Sequence, residues 1–112
     1  TAHALALSPL TEAAIKGQID TVKALLKSGM NANETDFDTG ETVLMAATTA
    51  GNTEVVKLLL AHRADPNQKL YSDGETALMI AAASGNKEIV QALLAKGADR
   101  TARNWNTGET AA

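Results

Sequence analysis

The chain repeats itself every 34 residues, and that period restricts its fold more than composition does. Gly17, Gly51 and Gly85 keep this spacing, as do Gly40, Gly74 and Gly108, and Gly-Glu-Thr recurs intact at 40–42, 74–76 and 108–110. When 40–73 is laid on 74–107, 15 of the 34 positions are identical, among them Leu44/Leu78, Ala47/Ala81, Val56/Val90, Leu59/Leu93 and Asp65/Asp99. The segment from Ser8 to Thr39 follows the same phase more loosely through Leu10, Ala13, Gly17, Val22, Leu25 and Leu26. One domain is expected, with an extension at 1–7, units at 8–39, 40–73 and 74–107, and the opening of a truncated fourth at 108–112.

Each unit reads as two short helices and a long turn. Thr42 suits the N-cap of a helix over Val43–Ala50, Gly51-Asn52 breaks the chain, and Thr53 suits the cap of a second helix from Glu54 to His62. The corresponding helices are expected at Pro9–Lys16, Asp20–Lys27, Ala77–Ser84 and Lys87–Lys96. Leu44, Ala47 and Thr48 share one face of the first helix, while Val55, Val56, Leu58, Leu59 and Leu60 give the second a wider apolar stripe. Helices this short are not stable alone in water, so each unit must bury its apolar face against the next. Turn formers at Asp65-Pro66-Asn67 and Ser72-Asp73-Gly74 bracket a segment expected to project as a hairpin-like finger.

Composition mainly excludes. The net charge is −3, with no basic block to hold nucleic acid or an anionic membrane. No apolar run approaches the roughly 18 residues of a membrane span. Without Cys there is no thiolate metal site, and His3 and His62 alone do not make a ligand set. No H-E-x-x-H, G-x-S-x-G or phosphate-binding loop is present, so neither enzyme, cofactor nor metal is expected.

These residues resemble the ankyrin repeat from about Ser8 onward. The family phrase is visible as Asp73-Gly74-Glu75-Thr76-Ala77-Leu78, Ala81-Ala82-Ala83-Ser84-Gly85, Glu88-Ile89-Val90-Gln91-Ala92-Leu93-Leu94 and Gly97-Ala98-Asp99. The resemblance implies an all-α solenoid whose first helices and fingers form a concave face, on which members mostly bind other proteins. Four departures stand out. The family's Pro after Thr survives only as Pro9. Its His is replaced by Thr11, Met45 and Met79, and Arg63 occupies the place of Gly29 and Gly97, which predicts a strained or altered helix end. Each finger is one residue longer than the family's usual form.

The only aromatic residues, Phe37, Tyr71 and Trp105, also fall one period apart, each three residues before the finger glycine. Simple counting over the period makes that coincidence about 1 in 1,000. Such a ladder suits a binding edge, since aromatics are enriched at interface hot spots; equally, each ring can pack on the next finger and stiffen the long loop. Glu41, Glu75 and Glu109 form a second ladder, suited either to a basic partner or to the positive end of a helix dipole. Asp38 joins Glu34, Asp36 and Glu41 in giving the finger at 31–41 a charge of −4, against −2 at 65–75 and 0 at 99–109. Such grading can orient an asymmetric partner, and drift among surface loops is the plainer account. Ile15-Lys16, Thr49-Ala50 and Ala83-Ser84 would make a shallow floor, or serve helix packing.

The expected function is a non-catalytic protein-interaction module that binds a basic or mixed-charge protein on its concave face and finger edge. Its expected state is a monomer in the cytoplasm. The alternative is a structural spacer within a longer chain. Exposed rings favour the first, and rings buried between fingers the second.

Overall fold

The computed structural model describes residues 8–105 and 108. Six helices form three pairs: α1 (Pro9–Lys16) with α2 (Ile19–Lys27), α3 (Val43–Ala50) with α4 (Thr53–Ala61), and α5 (Ala77–Ser84) with α6 (Lys87–Ala95). The three first helices begin alike, because the hydroxyl oxygens of Ser8, Thr42 and Thr76 accept the backbone N–H groups of Thr11, Met45 and Met79. They also end alike. Gly17, Gly51 and Gly85 take the left-handed conformation, with φ of 71°, 74° and 74°, and a single residue then separates them from the second helix.

That tight connection corrects the expected starts by a residue or so. The N-cap of α4 is Asn52, whose carbonyl accepts Val56 N–H at 3.0 Å, and Thr53 already lies within the helix. Gln18 plays the same part for α2, so the helix opens at Ile19. At the other end, α4 and α6 stop at Ala61 and Ala95, one residue short of expectation. His62 and Lys96 then lead into residues of positive φ, Arg63 at 68° and Gly97 at 89°. Arg63 is the one non-glycine residue with positive φ among those described, so its helix ends where α6 does but with a side chain in the strained left-handed conformation.

The core runs along the stack. Helix α1 packs on α2 and α3, α3 on α4 and α5, and α4 on α6. Leu10, Leu44 and Leu78 recur at its centre, and Ala13, Ala47 and Ala81 let the first helices approach closely. Because α3 is covered on both flanks and beneath, six consecutive residues from Val43 to Thr48 are buried and its sidedness is lost. The hydroxyl of Thr48 is accommodated there by donating to the Leu44 carbonyl at 2.7 Å.

The fingers are turns more than hairpins. Among the described residues there is no strand; Thr35 and Thr42 form an isolated antiparallel bridge. The first finger closes through Asp36 N–H to the Glu41 carbonyl (2.9 Å) and Gly40 N–H to the Asp36 carbonyl (2.8 Å). The second repeats both bonds through Leu70, Glu75 and Gly74, and Gly108 N–H bonds the Asn104 carbonyl at 2.7 Å.

Leu59 and Leu93 have no exposed surface. Leu59→Ala or Leu93→Ala should therefore destabilise the whole stack by about 2–5 kcal/mol, measured by urea denaturation. A change under about 0.5 kcal/mol, the range of surface substitutions, would contradict this packing.

Candidate functional site

The glycine at the base of each finger does more than turn the chain. Gly40 and Gly74 have φ of 77° and 74°, a conformation that disfavours any side chain. They are also covered by a ring from the following unit. A Cβ on Gly40 would lie 2.7 Å from two ring carbons of Tyr71, and one on Gly74 would intrude further still into the Trp105 indole. The same two residues bond backbone to backbone: Tyr71 N–H donates to the Thr39 carbonyl at 2.9 Å, and Trp105 N–H to that of Asp73. Each ring thus sits on the finger before it, the reverse of the direction expected from sequence, and stays about 60% exposed on its outer side. Phe37 is different. It is 85% exposed and is the most open large apolar side chain of those described.

The second ladder lies inside the first. Glu41 and Glu75 are half-buried and, with Thr49, Leu70, Ile80, Ala83 and Ser84, line an open groove of about 440 Å³ between the fingers and the first helices. They do not occupy a first helical turn. Thr42 and Thr76 are the N-caps, so each glutamate stands one residue outside its helix, and neither has an ion-pair partner among the described residues. Burial holds the Glu75 proton more tightly than usual, with repulsion from Asp73 as the lesser cause. Asp38 is an exposed residue at the fingertip, and Glu109 lies outside the described residues. On the floor, Ile15 is 42% exposed, and Lys16 is held by Glu12 at 2.8 Å.

Sequence reading weighed Asp36 only as a charge, but it shapes the acidic finger. Its carboxylate accepts the N–H groups of Asp38 (2.8 Å) and Thr39 (3.0 Å), fixing the turn that presents Phe37. It also missed Asn33 and Asn67, which bridge between units. The Asn33 amide donates to the Arg63 carbonyl (3.0 Å) and accepts from Asp65 N–H; Asn67 does the same with Gly97 (3.1 Å) and Asp99 (2.7 Å). Their one-period spacing was the available signal, blurred because Thr101 takes the third place. Asn52 adds a third crossing, donating to the carbonyls of Ala14 and Ile15.

The groove is open to solvent along its length and is not an enclosed chamber. His62 is exposed at the end of an outer helix, and His3 lies outside the described residues. Among the described residues no cluster of His, Asp and Glu has metal-holding geometry, and no helix is long and apolar enough to cross a membrane.

The ring-on-glycine contact predicts coupled substitutions. Gly40→Ala should cost about 1–3 kcal/mol, combining left-handed strain with displacement of the Tyr71 ring. Tyr71→Ala alone should cost about 1 kcal/mol of packing. In the Tyr71→Ala background, Gly40→Ala should lose part of its effect, a non-additivity that chemical denaturation of the four variants reads directly. Strict additivity would mean that the ring does not sit on the glycine.

Glu75 predicts a pH dependence. Its folded-state proton affinity exceeds that of an ordinary carboxylate, so the folded chain binds more protons than the unfolded one above the usual value of 4.5. The stability it contributes is full below that value and is lost as pH rises through the folded-state value. Glu75→Gln should therefore have a higher urea midpoint than the parent at pH 7, and the two should converge at pH 4. A parent that gains on the variant as pH rises would reverse the sign.

No curated protein gives a significant match to the chain. The family model for ankyrin repeats matches in three copies over residues 10–104, nearly the whole described span. The helix pairs, the Thr and Gly caps and the stacked fingers are what that family's phrase requires. The chain belongs to the ankyrin-repeat family, whose members are generally protein–protein interaction modules and typically not enzymes.

Proposed function

We propose that this chain is a non-catalytic module that holds a basic or mixed-charge protein along the groove between its finger edge and its first helices. The observation that carries the reading is the pair Glu41 and Glu75, half-buried with no ion-pair partner among the described residues, beside an apolar floor of Leu70, Ile80 and Ala83. A Lys or Arg side chain laid in the groove would set its stem on that floor and its charge against the carboxylates. Phe37 and Asp38, exposed at the acidic end, would extend the contact past the groove, and the outer faces of Tyr71 and Trp105 would continue it. The inner faces of those two rings are already used, so Phe37 is the ring with most surface to offer a partner.

The docked rings favour a second reading as well, in which the ladder only stiffens a spacer between other domains. The two readings differ at Phe37. Docking on a preceding finger explains Tyr71 and Trp105, but among the described residues Phe37 covers no glycine.

Phe37→Ala should weaken binding to a protein recovered by affinity capture on this chain by about 1–3 kcal/mol, read by titration calorimetry, while leaving the melting temperature nearly unchanged. Glu41→Gln with Glu75→Gln should mainly slow association and flatten its salt dependence. Affinity unaltered in both variants would remove the finger edge and groove from the interface and leave the spacer reading.

A further inference from the structure

The second finger contains a reactive step that the other fingers lack. Asp73-Gly74 is the one place in the chain where an aspartate precedes a glycine, and no asparagine precedes one. One period earlier and one later the residue before the finger glycine is a threonine, Thr39 or Thr107, whose side chain has no carboxyl carbon. An aspartate before glycine is prone to ring closure on its own backbone. Without a Cβ on the following residue, the amide nitrogen is unshielded and the chain is free to bring it up to Cγ of the aspartate.

In the folded chain every group that this closure needs is committed elsewhere. Gly74 N–H donates to the Leu70 carbonyl at 3.0 Å. The Asp73 carboxylate accepts Glu75 N–H on Oδ1 at 3.0 Å and the Asn104 amide on Oδ2 at 3.2 Å. The Asp73 carbonyl accepts Trp105 N–H, and the Trp105 indole covers Gly74, which is buried. Asn104 and Trp105 both come from the following finger. When that finger lifts, the cover over Gly74 and one hold on each of the Asp73 carbonyl and carboxylate go together.

We propose that Asp73 is a self-modification site gated by the following finger: it is inert while Asn104 and Trp105 are seated, and converts to isoaspartate when they lift. The Gly74 nitrogen, giving up its proton, attacks Cγ of Asp73; an N–Cγ bond forms, a Cγ–O bond breaks, and the oxygen leaves as water. Water then opens the resulting succinimide at the α-carbonyl. The water lost in the first step is regained in the second, so the product is an isomer whose main chain runs through Cγ and is one carbon longer. The former α-carbonyl becomes a free carboxylate, and Trp105 N–H loses its acceptor in the seated position. Gly74 is displaced from beneath the ring, so the opened finger cannot close as before.

The test follows isoaspartate at residue 73, by enzymatic carboxyl methylation and peptide chromatography, in the full chain held at neutral pH either folded or in guanidinium chloride. The folded chain should convert at least about tenfold more slowly than the unfolded one. Trp105→Ala should raise the folded rate about fivefold while its helical circular dichroism is unchanged. Asn104→Ala, which releases Oδ2, should raise it as well and decides the matter if the ring variant loses its fold. Asp73→Glu, whose closure needs a larger ring, sets the background. Trp105 is the only tryptophan, so its emission reports the seat directly: the purified isomerised chain should emit further to the red and melt lower than the parent. No conversion in the unfolded chain, or equal rates folded and unfolded, would overturn the proposal. So would a folded variant at Trp105 or Asn104 that converts no faster than the parent. An isomerised chain with unchanged emission and melting temperature would overturn the release of the finger.

Discussion

Everything in this molecule depends on burial between successive units. A helix of eight or nine residues forms too few internal hydrogen bonds to offset the entropy of fixing its backbone, and none of the six helices is longer. Stability comes from Leu10, Leu44, Leu59, Ile89 and Leu93, which lose all or nearly all contact with water when the pairs stack. The alanines at 13, 47 and 81 contribute by absence, since a larger side chain there would hold the first helices apart. Stacking of this kind is local in sequence, so disturbance at one joint passes to the rest of the stack through its neighbours.

Polar groups set the register of that stacking. The amides of Asn33 and Asn67 each span to the loop of the following unit, giving a donor and an acceptor to backbone groups that no helix satisfies. Lys57 adds a looser link across the outer helices, 3.4 Å from Glu88 and exposed, where ion pairs add little. At the fingers the ring and the glycine act together. The missing Cβ lets the ring of one unit close on the backbone of the last, and the ring in turn excludes water from a chain reversal that has no strand to protect it.

The same architecture produces the proposed binding surface as a by-product. Capping places Thr42 and Thr76 at the helix starts, which leaves Glu41 and Glu75 one step outside, at the lip of the groove. Their carboxylates are partly withdrawn from water with no compensating cation among the described residues, and Glu75 shows the cost in its raised proton affinity. Uncompensated negative charge beside apolar surface is a state that a cationic partner improves. The acidic turn organised by Asp36 makes that field strongest near Phe37, so charge and exposed ring concentrate at the same end.

Much of this was legible in the sequence, because a repeat writes the same physics several times. The caps at Thr42 and Thr76, the breaks at Gly17, Gly51 and Gly85, the helix pairs and the buried leucines all follow from local rules, and the aromatic phase was visible before any coordinates. Boundaries moved by a residue or so where a left-handed glycine left no room for the expected cap at Thr53. Direction and exposure were not legible. Period alone cannot say whether a ring packs forward or back, nor that Phe37 would differ from Tyr71 and Trp105, because the three are equivalent in sequence and differ only in what precedes them in space. The roles of Asn33, Asn67 and Asp36 were hidden for a related reason: an amide or a carboxylate in a turn looks the same whether it bonds its own loop or the next. Local chemistry determined the units, and only their stacking decided which groups were consumed in holding them together and which remained for a partner.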